Sequence, residues 1–356
     1  MNDGFSDQER EPRPLLAYPF ETIPEAGSGQ AVEVAPGVLW LRMPLGGALK
    51  AINVWALADG EGWTIVDTGI RSQETAQGWR DAFSGVLGGK PVVRVLCTHM
   101  HPDHVGMAGW ILRKFPEARL WMTRLEYITC RMLAADTGRE APEDGVRFFK
   151  AAGWDEAPIE TYRQRFGGFG RGLYPLPDSY HRISDGDVVR IGDNDWHVVV
   201  GCGHSPEHAC LYQPELKLLI SGDQVLPRIS SNVSVHPTEP QADPLTDWLT
   251  SLAKVKAEVP DEVLVLPAHN EPFHGLHLRI DHLIRGHERG LMRLESRLNE
   301  PKRTVDVFGA LFARTIGPDL LGMATGEAQA HLNCLWKRGR ATPTLDAEGV
   351  AWWRAA

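Results

Sequence analysis

The chain has 356 residues, more than one compact core usually holds, with 43% hydrophobic and 23% charged residues and a formal net charge of -9. That balance is ordinary for a soluble globular protein, and its sign argues against nucleic acid as a partner, because such binding needs clustered Lys and Arg against phosphates. The five cysteines are odd in number and scattered, no window is apolar enough to span a membrane, and the polar start carries no secretory leader. A reduced, cytoplasmic protein acting on a small molecule is expected.

Residues 1–30, rich in Pro, Glu and Gly, read as an N-terminal arm. Strands then follow at Val38–Leu41, Ile52–Leu57 and Trp63–Val66, the last pair joined at a Gly-containing turn. They deliver Asp67-Thr68-Gly69, where Asp67 reads first as a helix cap and second as a carboxylate at an active-site edge. A helix over about 72–87 precedes the apolar strand Val92–Cys97, which feeds Thr98-His99-Met100-His101-Pro102-Asp103-His104. His99 and His101 point to one side of an extended segment, and Pro102 starts a helix expected over 102–115. After a short strand at Ala118–Met122, residues 123–180 form an excursion with helices over 124–135, 145–152 and 157–166. Its glycine-rich run 166–172 reads as a flexible lid. Phe148, Phe149, Tyr162, Phe166, Phe169 and Tyr174 are expected to line an apolar pocket beneath it.

Strands resume at Val188–Ile191 and Trp196–Val200, ending in Gly203-His204, and a second hairpin ends in Gly222-Asp223. A helix over 244–255 has Asp243 as N-cap and Pro244 at its first position. The strand Val263–Leu266 ends in Pro267-Ala268-His269. Asp67, His99, His204, Asp223 and His269 thus each fall just past a strand, the signature of a site built on one rim of a sheet. A long amphipathic helix over 275–299 leads to a tail with helices over 305–315, 318–323 and 325–338, Thr325 being a candidate N-cap, and a two-strand tip over 341–353. Three helices and a wing describe a winged-helix domain. The division is therefore an arm at 1–30, a catalytic domain at 31–285 and a winged-helix-like unit at 286–356.

His99, His101, Asp103, His104, His204, Asp223 and His269 are too many donors for one tetrahedral ion and right for two. One partition gives the first ion His99, His101 and His204, the second Asp103, His104 and His269, with Asp223 bridging. Imidazole and carboxylate donors suit two Zn²⁺, with Fe or Mn as alternatives, and Cys202 is the one alternative soft ligand. Such ions activate a water and polarise a carbonyl. Asp67 and His208 are candidates to hold the ligands in place, and Asp103, Asp223 and Asp67 are the carboxylates assigned to catalysis.

Asp67 in IVDTG, THMHPDH, His204 in GCGHSPEH, Asp223 in SGDQ and His269 in LPAH together resemble the metallo-β-lactamase superfamily over residues 32–275. The resemblance implies an α/β fold, an αββα sandwich with a dinuclear site at one edge of the paired sheets. Asp223 resembles the glyoxalase II-like branch, although the basic residues that bind glutathione there have no counterpart here. The tail resembles β-lactamase-like hydrolases whose C-terminal winged helix packs on the catalytic domain.

The leading expectation is a dinuclear hydrolase of a small ester, thioester or lactone. Three alternatives remain: an endoribonuclease or phosphodiesterase holding RNA through Lys337, Arg338 and Arg340, a mononuclear iron persulfide dioxygenase, and a non-catalytic winged-helix module. The tail helices and the excursion are the faces expected to meet in a homodimer.

Overall fold

The computed structural model describes residues 15–356. Two sheets lie face to face. The first has seven strands in sequence order, β1 (Val32–Ala35), β2 (Val38–Pro44), β3 (Ala51–Asp59), β4 (Gly62–Val66), β5 (Val92–Leu96), β6 (Arg119–Met122) and β7 (His181–Arg182). The second contains β8 (Val188–Ile191), β9 (Asn194–Gly201), β10 (His208–Gln213), β11 (Leu218–Gly222) and β12 (Leu264–Pro267), in the order β12-β11-β10-β9-β8.

The two-residue period of the strands decides which core each side chain enters. Trp40, Trp55, Trp196, Leu211, Ile220 and Leu266 point between the sheets and fill the central layer. Their neighbours Leu41, Val54 and Val95 face outward, where α1 (Gln73–Ser84), α2 (Pro102–Val105) and α3 (Ala108–Lys114) cover them with Trp79, Phe83, Val105 and Ile111. On the far side Val199, Leu219 and Val265 pack beneath α7 (Pro244–Glu258), α8 (Leu276–Ser296) and α10 (Leu321–Lys337). Helix, sheet, sheet, helix is the layering expected from the sequence.

Between β6 and β7 in the chain the excursion contributes α4 (Arg124–Ala135), α5 (Glu143–Ala151) and α6 (Glu156–Arg165), close to their expected limits. After α8 the chain makes a 3-10 turn and the short α9 (Phe308–Leu311), then α10 and a hairpin of β13 (Ala341–Leu345) and β14 (Ala351–Ala355). Helix α8 runs unbroken through residue 285. Of the N-terminal arm, residues 1–14 lie outside the described residues. The rest is strapped down, with Ala17 bridging His274 and the Phe20 ring 6.1 Å from Trp40. No helix of the described residues is long and apolar enough to cross a membrane.

Several expected elements differ, the tail helix over 305–315 shrinking to the 3-10 turn and α9, and those over 318–323 and 325–338 merging into α10. The helix over 102–115 is broken, because the Met107 amide is taken by the Gly69 carbonyl at 3.0 Å and by Thr68 Oγ1 at 3.1 Å. Helix α10 starts at Leu321, so Thr325 is not its cap but lies inside it, its hydroxyl donating to the Leu321 carbonyl at 2.7 Å.

Strand direction then places the site. β4 and β5 are parallel, so Asp67 and the segment 98–104 leave the first sheet at one edge. In the second sheet β9 and β11 are both antiparallel to β10, and β12 is parallel to β11. His204, Asp223 and His269 therefore leave at a common edge too. Asn53 locks the edges together, its amide donating to the carbonyls of Pro267 at 2.7 Å and Asn270 at 2.6 Å.

Candidate metal centre and substrate cavity

Asp67 has a left-handed backbone, φ +59°, a conformation that Asp tolerates better than most residues. It does not cap α1, whose cap is Ser72. Oδ1 instead accepts from the Thr98 amide at 2.8 Å, and Oδ2 accepts from the Thr98 hydroxyl at 2.8 Å and from His104 Nδ1 at 2.7 Å. One buried carboxylate thus fixes both the start of the histidine segment and the ring that ends it.

Hydrogen-bond valence then settles where the imidazole protons lie. A carboxylate or carbonyl only accepts, so a ring nitrogen facing one carries the proton. His104 Nδ1 donates to Asp67, His204 Nδ1 to the Asn232 carbonyl at 2.7 Å and His269 Nδ1 to the Ala51 carbonyl at 3.2 Å. The Thr98 hydroxyl spends its proton on Asp67, so His99 Nδ1 donates to it at 3.1 Å. In their neutral forms all four rings turn an Nε2 lone pair inward.

Those lone pairs meet others. His99 Nε2, His101 Nδ1 and His204 Nε2 form one group, separated by 2.8, 3.1 and 3.3 Å. Asp103, His104 and His269 form a second, and Asp223 stands between the two. Its Oδ2 lies 3.3 Å from His204 Nε2, whereas Oδ1 lies 3.6 Å from His104 Nε2 and 3.5 Å from His269 Nε2. His104 Nε2 and Asp223 Oδ1 are buried without a hydrogen-bond partner. Acceptors that face only acceptors repel unless a cation lies among them, so the donors fit metal ions. All seven residues singled out in the sequence are brought together here, and Cys202 belongs to neither group.

The protonation tendencies agree with a site short of positive charge. Burial, with the neighbouring imidazoles, pushes His99 well down and His101 to about 3. Burial acts the same way on His104 and His269, yet carboxylates outweigh it and raise both, Asp67, Asp103 and Asp223 at His104 and Asp223 and Asp103 at His269. Burial would raise Asp103, but His104 and His269 overcome it and hold this carboxyl at about 2.

His208 is a support rather than a donor. Its Nε2 accepts from the Asp223 amide at 3.0 Å, beneath Gly222, where a Cβ would collide with the ring. Glu126 is a support that the sequence hid. Thr123-x-x-Glu126 has the spacing of a capping box, but no side-chain cap forms. Buried Glu126 accepts instead from the amides of Met100 at 2.9 Å and Glu207 at 2.7 Å, tying the two histidine loops to α4.

The metal groups open into a cavity of about 610 Å³. Its apolar lining comes from Leu226 and Ile229 and from Phe312, Ile316, Leu320 and Met323 of the C-terminal unit, and Ser230, Ser231, Asn232, His236, Arg314 and Glu327 add polar groups. This corrects the expectation for the excursion, none of whose six singled-out aromatics lines the cavity. They pack among themselves and on the cores: Phe149 stacks on Trp154 at 4.2 Å and meets Tyr162 at 4.8 Å. The glycine-rich run does not line the cavity either, and Gly167, at φ +70°, lies so close to the Asp136 carbonyl that a Cβ would collide with it. Trp154 Nε1 donates to Thr325 Oγ1 at 2.9 Å, so the excursion braces α10.

The tail cations have partners within the chain. Arg338 forms a two-pronged pair with Glu288 at 2.9 Å, Arg340 pairs with Glu295, and Lys337 Nζ lies 4.5 Å from the centre of the Trp336 ring. The basic face required by the RNA reading is thus largely neutralised.

A family model of the metallo-beta-lactamase superfamily matches residues 48–269, more than half of the chain. The chain belongs to the metallo-beta-lactamase superfamily. The members of this superfamily are metal-dependent hydrolases, and the chain is an enzyme of that kind. A second model, the metallo-beta-lactamase-like C-terminal domain, matches residues 291–356. A solved beta-lactamase domain protein from Burkholderia ambifaria is 39% identical, with a TM-score of 0.86 over 96% of this chain and 98% of that one. The acyl-coenzyme A thioesterase MBLAC2 of Gallus gallus is 26% identical over 53% of this chain and 63% of its own length. An atrochrysone carboxyl ACP thioesterase of Aspergillus fumigatus is 24% identical over 59% of this chain and 35% of its own. The chain therefore spans less than two thirds of either thioesterase.

Proposed function

We propose that this superfamily member is a dinuclear zinc hydrolase of acyl thioesters. The observation that carries the reading is the cavity: an apolar chamber walled by the C-terminal unit opens directly onto both donor groups. Its apolar lining suits an acyl chain whose carbonyl end lies at Asp103, His204 and Asp223. The two thioesterases among the relatives support the same substrate class.

His99, His101 and His204 would hold one ion, Asp103, His104 and His269 the other, and Asp223 would serve both. The donor chemistry, imidazole and carboxylate without thiolate, favours zinc. When bound, the ions acidify a water to near neutral pH and polarise the thioester carbonyl. The chain's own task is orientation. Asp67 fixes the His104 ring, the Asn232 and Ala51 carbonyls fix His204 and His269, and His208 fixes Asp223 through its amide. Leu226, Ile229, Phe312 and Met323 exclude water from the acyl side. Two donor groups sharing one carboxylate favour two ions over the single iron of a dioxygenase.

The test is hydrolysis of straight-chain acyl thioesters of increasing length. Each methylene buried in the cavity contributes about 0.8 kcal/mol, so kcat/KM should rise about fourfold per carbon until the cavity is full. Met323→Trp should move the plateau to shorter chains. A response independent of chain length in both proteins would remove the acyl assignment.

A further inference from the structure

Behind the cavity wall lies a line of side chains that the metal groups do not use. The hydroxyl of Ser230, one of the lining residues, is 3.1 Å from His287 Nε2. His287 Nδ1 is 3.5 Å from His331 Nε2, and His331 Nδ1 is 2.8 Å from the Glu327 carbonyl. Loop, α8 and α10 each contribute one link.

The direction of this line follows from its far end. The Glu327 carbonyl can only accept, so His331 Nδ1 carries a proton. His287 and His331 are 4% and 3% exposed, and burial pushes them down to about 3 and about 4. At neutral pH each ring therefore has a single N–H. With its proton on Nδ1, His331 offers an Nε2 lone pair, which takes the His287 Nδ1 proton. His287 Nε2 is then a lone pair as well, and the Ser230 hydroxyl fills it. The second acceptor within reach of that hydroxyl, the Ser231 carbonyl at 3.4 Å, also belongs to the protein. Either way the only proton of Ser230 is committed within the protein.

We infer that Ser230 presents only lone pairs to the cavity and selects acyl groups bearing a hydroxyl donor near the thioester carbonyl. Its neighbours place it at the reacting end. The Ser231 hydroxyl donates to the Asp223 carbonyl, and the Asn232 carbonyl accepts from His204. A β-hydroxyacyl thioester brings its donor to that region. An unsubstituted chain leaves Ser230 dehydrated and unpaired, and a β-methoxyacyl chain sets acceptor against acceptor. The inference rests on the thioesterase reading and narrows its substrate class.

The experiment compares kcat/KM for β-hydroxyacyl, unsubstituted and β-methoxyacyl thioesters of one chain length, each as a ratio within one protein. The wild-type enzyme should favour the hydroxy over the unsubstituted substrate by about fivefold, the size of one net hydrogen bond. In Ser230→Ala the ratio should fall to about one. His331→Met removes the acceptor of the His287 Nδ1 proton, which lets His287 donate from Nε2 to Ser230 and leaves the serine proton shared between the Ser231 carbonyl at 3.4 Å and an acceptor in the cavity. This variant should narrow the gap between hydroxy and methoxy substrates. Equal wild-type rates on hydroxy and unsubstituted chains, or an unchanged ratio in Ser230→Ala, would overturn the inference. If no thioester is hydrolysed, the thioesterase reading fails instead. Calorimetry with free β-hydroxy and unsubstituted fatty acids then reads the Ser230 preference directly, equal affinities overturning it.

Discussion

Asp223→Ala should lose at least one of two bound ions and lower kcat/KM by about 10²–10³-fold or more, as removal of a preorganised electrostatic group does. The expectation rests on where the two oxygens lie. Oδ2 approaches the first donor group through His204, and Oδ1 approaches the second through His104 and His269, the closest of these contacts being 3.3 Å. Asp223 is the carboxylate whose two oxygens are divided between the groups, and with His99 and His104 it forms a cluster that spans them. The backbone at this position is already fixed through His208, so the variant removes the carboxylate without freeing the loop. Elemental analysis and steady-state kinetics on the same preparation check the result. Two retained ions with full turnover would remove the bridging role.

The second large effect is on stability. Asp67→Ala should lower the unfolding free energy by roughly 3–5 kcal/mol, the cost of deleting one member of a buried charge-assisted set. Three donors lose their acceptor at once: the Thr98 amide, the Thr98 hydroxyl and His104 Nδ1. All are buried, so water does not replace the lost partner. The released His104 ring also loses its tautomer lock, and metal affinity should fall with stability, by about 10–100-fold. Chemical denaturation read against metal titration measures both, and Asp67→Asn, which keeps the shape and one acceptor, should fall between alanine and wild type. A melting curve for Asp67→Ala that overlays wild type would contradict this reading of the carboxylate.

The centre was legible in the sequence because its information is local. His99, His101, Asp103 and His104 lie within six residues, and the remaining donors each follow an apolar strand that ends in Gly or Pro. The αββα layering was expected from the family resemblance that these motifs carry, and the strands themselves announced only a sheet with a site at its rim. What stayed hidden is tertiary. The cavity wall is built where α8 and α10 meet loop 226–232, with Arg279 donating to the carbonyls of Leu226 and Ile229 and Glu327 accepting from Asn232. No spacing in the chain announces that meeting, so the aromatic excursion appeared the better pocket. Glu126 lies in a helix with no motif around it to mark a support, and Asp67 reads as a cap because its left-handed backbone cannot be seen in a string of letters. The same reasoning explains the break after Val105, where the Asp67-Thr68-Gly69 turn competes successfully for helical amides.

The central claim is that two metal ions sit in the paired donor groups and act on an acyl thioester. Elemental analysis of the purified protein, with thioester turnover assayed on the same sample before and after chelation, tests it most directly. The expected result is close to two zinc ions per chain, turnover that disappears on chelation and recovery when zinc is restored. One iron per chain with no thioester hydrolysis would contradict it.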